Sequence, residues 1–218
     1  MARIARVVVP GMPHHVTQRG VRRMDVFFSD DDRIAYLDLL SKYGRRFGVS
    51  FLAWCLMTNH IHLIAVPEDE SSLARGIGEA HRRYTRRVNF REGWRGYLFQ
   101  GRFQSCPLDG CYLLAAVRYV LRNPVRAGIV DQPWDYEWSS AQWIVGAVSR
   151  DPLAQQSEML AEITDWKEFL RGNSAELDSL REHTRTGRPL GNDRFIDRVE
   201  SHLGRSVRPK KRGPKKKD

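Results

Sequence analysis

Val49-Ser50-Phe51-Leu52-Ala53-Trp54-Cys55-Leu56-Met57-Thr58-Asn59-His60-Ile61-His62-Leu63-Ile64-Ala65-Val66 reads as two apolar strands folded back around Thr58-Asn59. Runs of this length, rich in Val, Ile and aromatic residues and broken by a polar pair, favour a hairpin over a helix. Successive side chains of a strand point to opposite faces, so His60 and His62 share one face while Ile61 and Leu63 share the other. Two imidazoles side by side are a plausible metal-binding arrangement. A bare His-x-His pair is equally the polar face of an edge strand.

The flanking sequence supplies a fold for that hairpin. Residues 14–19 suggest a first strand ended by Gly20. Ser29, followed by three aspartates, has the form of a helix start, with acids at the positive end of the dipole. That helix is expected to reach Phe47, with Gly48 closing it. After the hairpin, Ser71 opens a second helix, Tyr97–Leu108 alternates enough for a fourth strand, and Tyr112–Arg122 forms a third helix halted by Pro124. The order β-α-β-β-α-β-α predicts an α+β, ferredoxin-like split βαβ sandwich: an antiparallel sheet with helices on one face and a final helix packed alongside. Such a fold hosts many functions and decides none of them.

Composition narrows the field. The 218-residue chain is 41% apolar and 28% charged, as in a soluble globular protein. No apolar run is long enough to span a membrane. The segment Val7-Val8-Val9 is too short for a signal peptide, which makes the cytoplasm the default location. Cys55, Cys106 and Cys111 form no CxxC pair and read as reduced, mostly structural residues. The net charge of +10 is unevenly placed. Residues 75–126 carry +8 through eleven arginines and no lysine, residues 205–218 carry +7, and residues 127–204 carry −6. Arginine's planar fork suits bidentate phosphate contacts and base stacking, so this distribution favours a nucleic-acid partner. The expected organisation is a domain over 1–150, a short helical extension over 151–204, and a basic tail over 205–218 that is disordered when free.

Tyr119 and Asn123 lie four apart in the third helix and stack on one of its faces. A phenol ionises near pH 10, so attack on a phosphorus near neutrality needs cationic or metal help. Arg118 and Arg122 flank the tyrosine. Two imidazoles with one amide oxygen, the remaining positions left to water and phosphate, fit Mg2+ or Mn2+ better than zinc. Asn123 can supply that oxygen, or serve only as the cap before Pro124. Further candidate DNA contacts are Thr17, Gln18 and Arg19 on the first strand, and Arg82, Arg83, Arg86 and Arg87 on the second helix. Gln100, Arg102 and Phe103 offer a donor, a charge and a stacking ring, and Lys210, Lys211 and Arg212 a nonspecific clamp.

Five segments carry a family resemblance: Gly11-Met12-Pro13-His14-His15-Val16-Thr17-Gln18-Arg19-Gly20, Cys55–Ile64, Gln100-Gly101-Arg102-Phe103, Arg118–Gly128 and Trp138-Ser139-Ser140-Ala141. In that order they resemble the REP-associated tyrosine transposases, a branch of the bacterial single-tyrosine HUH transposases. His14 departs from the pattern where an aromatic is expected, and Thr58 where proline is expected. The resemblance implies a metal-dependent, single-stranded DNA endonuclease and strand transferase acting at REP-type hairpins. His60 and His62 would hold the ion, with Asn123 as third ligand. Tyr119 would form a 5′-phosphotyrosine, and a 3′-hydroxyl would later rejoin the strand. It also implies a monomer rather than the helix-exchanging dimer of related transposases; the expected location is cytoplasmic and nucleoid-associated, with no membrane partner. Two rivals remain: a non-catalytic DNA- or RNA-hairpin-binding module on the same sheet, and a metal hydrolase using water as nucleophile.

Overall fold

The computed structural model describes residues 5–172 and 177–209. Lys210, Lys211 and Arg212 lie outside the described residues. Four antiparallel strands, β1 (His14–Arg19), β2 (Val49–Met57), β3 (His60–Pro67) and β4 (Gln104–Pro107), form one sheet in the order β2-β3-β1-β4. With α1 (Asp30–Arg46) between β1 and β2 and α2 (Ser72–Glu92) between β3 and β4, this is the expected split βαβ topology. The later helices are α3 (Gly110–Leu121), α4 (Asn123–Arg126), α5 (Ala141–Ile144), α6 (Trp166–Arg171), α7 (Leu177–Thr186) and α8 (Asp193–Leu203). No helix among the described residues is long and apolar enough to cross a membrane.

Both faces of the sheet are covered, which explains why β2 and β3 read as nearly continuous apolar runs. Ile61 and Leu63 face a core built with Tyr36, Leu40, Ile77 and Tyr84 of α1 and α2. Ile64 and Cys55 face a second core with Leu113, Val117 and Val120 of α3. Leu160, Leu170, Leu180 and Leu190 join this second core, so the segment after residue 150 packs onto the sheet domain.

Local signals explain most element ends. Ser29 caps α1, its hydroxyl accepting from the Asp32 N–H at 3.4 Å. Gly48 follows at φ +63°, a conformation that favours glycine. Asn192 caps α8 by accepting from Phe195. The first part of the expected helical extension forms only a 3-10 turn at Glu158–Leu160 and the short α6. The expected fourth strand is shortened at its start. Gly101 adopts φ +67°, which lifts Gln100 and Arg102 off the sheet before β4 begins. Only Phe99 of the earlier part still bridges to Gly20.

One ion pair, between the buried Asp32 and the exposed Arg91, ties α1 to α2. Arg91 donates to both Asp32 carboxylate oxygens, at 2.5 and 3.0 Å, and the Phe28 N–H adds a third bond. Burial works to raise the Asp32 pKa, but these donors outweigh it and hold it below the usual carboxylate value. The Asp32 side chain is fully buried while that of Arg91 is 38% exposed, so Arg91→Ala strands the carboxylate and is expected to lower unfolding free energy by about 3 kcal/mol in urea titrations.

Candidate active site

The Thr58-Asn59 turn is held from outside the sheet. Thr58 O accepts from the N–H groups of Val26 and Phe27, and Asn59 O accepts from Gly20. The Asn59 side chain donates to Arg23 O and accepts from His60 Nδ1 at 2.7 Å. An amide oxygen only accepts, so the His60 proton sits on Nδ1 and its Nε2 lone pair is left open. His62 projects from the same face and is 6% exposed. Its Nδ1 lies 3.0 Å from His15 Nε2, and His15 Nδ1 lies 2.8 Å from Thr184 Oγ1. Thr184 Oγ1 in turn lies 3.9 Å from Cys106 Sγ. With the Thr184 hydroxyl donating to Cys106 Sγ, its oxygen accepts from His15 Nδ1, His15 Nε2 accepts from His62 Nδ1, and His62 is left with Nε2 unprotonated. Neither Nε2 has a protein partner among the described residues.

These rings border a cavity of about 330 Å3. Its floor comes from cross-strand neighbours on one sheet face. Thr17 lies between His62 and Gln104, and Arg19 is opposite His60. Its walls come from Tyr119 of α3, from Arg181, Thr184 and Arg185 of α7, and from Gln100 and Arg102 of the lifted segment. The Tyr119 ring makes edge contacts with His15 and His62, at centroid distances of 5.6 and 5.5 Å. The Arg126 guanidinium lies 4.3 Å from the Tyr119 ring centroid. The cavity thus gathers a phenol, two imidazoles with open nitrogens and several cations.

Electrostatics keep the imidazoles neutral. Burial, with Arg19 and Arg126 nearby, lowers His60 to about 4, and His62 is pushed well below its ordinary value by burial and then by the neighbouring histidines. Neutral imidazole is the ligating form. His15 falls to about 3 through burial, while Cys106 is pushed up to about 12, so that thiol is not a nucleophile here. Away from the cavity, His14 and His81 are lowered by burial to about 4 and about 3. An unfolded imidazole takes a proton near pH 6.5. The folded chain therefore keeps the full contribution of these groups above pH 6.5 and loses it as pH falls toward 3–4. Each such histidine costs about 1.4 kcal/mol per pH unit over that window. Urea titrations between pH 7.5 and 5 should show stability falling with acid, and His81→Gln should shallow the slope by about one proton.

Several expected contacts sit elsewhere. Thr17, Gln18, Arg19, Gln100 and Arg102 do line the cavity. Phe103 does not: it is 7% exposed in the α1/α2 core, with the Arg6 guanidinium 3.7 Å from its ring centroid. It cannot serve as a stacking ring from there. Period two explains this, because Gln104 and Phe103 take opposite faces. Arg118 and Arg122 turn from the cavity toward α6. Arg122 donates to Arg171 O at 2.7 Å and to Gly172 O, and Arg118 stacks on Phe169 at 4.2 Å. Asn123 is 5% exposed and donates to the carbonyls of Tyr119 and Val120. In this arrangement it acts as a cap and does not border the cavity. Arg82 and Arg83 share Glu79 on the exposed flank of α2, and Arg86 and Arg87 are exposed on the same helix. The sequence reading missed Gln104, Arg181, Thr184 and Arg185. The arginine pair at i, i+4 in 181–185 was the available signal.

Residues 8–123 match the family described as transposase IS200 like. The chain belongs to this transposase family. Its match includes β1 to β4, both histidines and Tyr119, while α7 lies beyond it. Among solved structures, a REP-associated tyrosine transposase bound to a REP hairpin shares the fold, with a TM-score of 0.58 at 19% identity over 73% of this chain and 93% of that one. A provisionally assigned transposase from Deinococcus radiodurans is more distant, with a TM-score of 0.38 and 16% identity over 59% and 92% of the two chains. No curated protein matches. The transposase family implied by the sequence motifs and the ferredoxin-like fold expectation both stand for this IS200-like transposase.

Proposed function

We propose that this IS200-like transposase cleaves and rejoins single-stranded DNA at REP-type hairpins through a 5′-phosphotyrosine at Tyr119. The observation that carries the reading is the shared cavity of Tyr119, His60 and His62, bordered by Arg19, Arg102, Arg181 and Arg185. Tyr119 Oη attacks the scissile phosphorus and loses its proton. The P–O3′ bond breaks, and the departing 3′-oxygen is protonated. One phosphodiester replaces another, so the strand is later resealed by a 3′-hydroxyl without ATP. The arginines offset charge on the phosphate as it passes through the transition state.

The donor set suits a divalent cation shared with substrate. The cavity offers two neutral imidazoles and amide oxygens but no carboxylate, and the described residues contain no cluster of three or more His, Cys, Asp or Glu able to hold a metal. His60 and His62 would hold Mg2+ or Mn2+, with phosphate oxygens completing the shell; the ion would supply Lewis-acid polarisation of the phosphate. Asn123 would ligate through Oδ1, which accepts from Arg126 Nη2 at 3.4 Å, so it joins only if that bond is released and the side chain turns toward the cavity. Thr184 would act through His15 by fixing the His62 tautomer. Outer partners of ligating histidines typically contribute 10–100-fold to metal affinity. Thr184→Val is therefore expected to weaken Mn2+ binding by about tenfold in a spin-resonance titration, with Thr184→Ser restoring it.

A denaturing gel with labelled REP-like hairpins and Mn2+ or Mg2+ tests the function. A denaturation-resistant protein–DNA adduct supports it. Cleavage without an adduct would instead indicate a water nucleophile. Binding with neither product would indicate a module that retains only recognition.

A further inference from the structure

The last turn of α2 and the segment that follows it carry large aromatic side chains that the fold does not bury. Phe90 is 91% exposed, Tyr97 85% and Trp94 41%. Rings left this open on a charged surface call for a partner. Phe90 and Trp94 border one groove together with Arg86 and Arg95. The arginines of this region divide into two sets. Arg82 and Arg83 are engaged by Glu79, and Arg91 by Asp32 and Glu92. Arg86 and Arg95 make no ion pair or hydrogen bond among the described residues and remain available to an anion.

The chain that leaves this groove after Arg95 continues to the catalytic cavity. Leu98 O accepts from Val21 N, and Gln100 N donates to Arg19 O, so residues 98–100 run beside the end of β1. Gln100 borders the cavity. Tyr97 stands three residues before it, at most about 10 Å along an extended chain.

We propose that Phe90, Trp94 and Tyr97, with Arg86 and Arg95, form a second binding surface for unpaired nucleotides of the DNA substrate, outside the His60/His62 cavity. Exposed rings offer faces for bases and unpaired guanidiniums take phosphates, the combination that holds single strands without reading their sequence. The surface rests on the proposed nucleic-acid substrate and extends it beyond the scissile phosphate. A second copy of this chain is the alternative occupant; the cationic rim argues against it, since identical basic surfaces repel.

The test is fluorescence anisotropy with a labelled 20-nucleotide single strand and a blunt duplex of equal length, in EDTA to prevent cleavage. Phe90→Ala/Tyr97→Ala is expected to weaken single-strand binding at least tenfold and duplex binding less than threefold. Both side chains are exposed, so its melting temperature should match the wild type. Arg86→Gln/Arg95→Gln is expected to flatten the salt dependence of single-strand affinity by about two charges. Unchanged single-strand affinity, or equal loss for both DNAs, overturns the proposal. So does light scattering that shows a wild-type dimer dissociated by Phe90→Ala/Tyr97→Ala while DNA affinity is unaltered. Adduct formation is scored separately on hairpins. An absent adduct with the selective tenfold loss would sink the nuclease reading and leave this surface standing; an adduct with no loss would do the reverse.

Discussion

Tyr119→Phe should abolish the covalent protein–DNA adduct and lower strand cleavage by about 10^4-fold or more, the scale on which removal of a nucleophile acts. The substitution deletes one oxygen and little else. Phenylalanine keeps the edge contacts with His15 and His62 and the Arg126 stacking on the ring. No hydrogen bond of the Tyr119 hydroxyl is found among the described residues, so its loss strands no buried donor. The variant should melt within about 1 °C of wild type, as expected for a change away from stabilising contacts, and should bind hairpin DNA with affinity unchanged in EDTA. Cleavage that persists at wild-type rate in Tyr119→Phe would instead assign the attack to water.

His62→Ala should remove most of the metal affinity, about 100-fold or more, and cleavage with it. The expected effect exceeds that of losing a ligand at an exposed site, because His62 is linked to His15 and Thr184 inside a buried chain of hydrogen bonds. His62→Gln tests the same point with less loss of packing. Paired titrations of Mn2+ by spin resonance, with and without hairpin DNA, separate the protein's own ligands from the phosphate oxygens. Wild-type Mn2+ affinity in both variants would exclude His62 as a ligand. His60→Ala should behave alike, leaving Asn59 without its imidazole donor.

The sheet and the two histidines were legible because a strand repeats every two residues, so His60 and His62 had to oppose Ile61 and Leu63. The helix start at Ser29 was legible through its capping chemistry. Partner choice was not. Nothing local says which arginines meet carboxylates, and Arg91 finds Asp32 fifty-nine residues away. Glu79, at i−3 and i−4 from Arg82 and Arg83, was a readable exception. Arg118 and Arg122 are adjacent to Tyr119 and Asn123 in sequence, but one residue along a helix is a turn of about 100°, which carries them to α6. The contribution of α7 was hidden because residues 177–186 are polar and their packing on β4 and β1 is a tertiary event. That helix puts Thr184 behind His15, a contact spanning 169 residues.

Mass spectrometry of the protein–DNA adduct tests the central claim most directly. Wild-type protein would be incubated with Mn2+ and a REP-like hairpin, trimmed with nuclease and digested with trypsin. The account predicts a nucleotide joined through its 5′-phosphate to Tyr119, on the peptide Tyr119-Val120-Leu121-Arg122 or its missed-cleavage extension. An adduct mapped to any other residue would contradict it, as would cleaved hairpin with a free 5′-phosphate and no modified tyrosine.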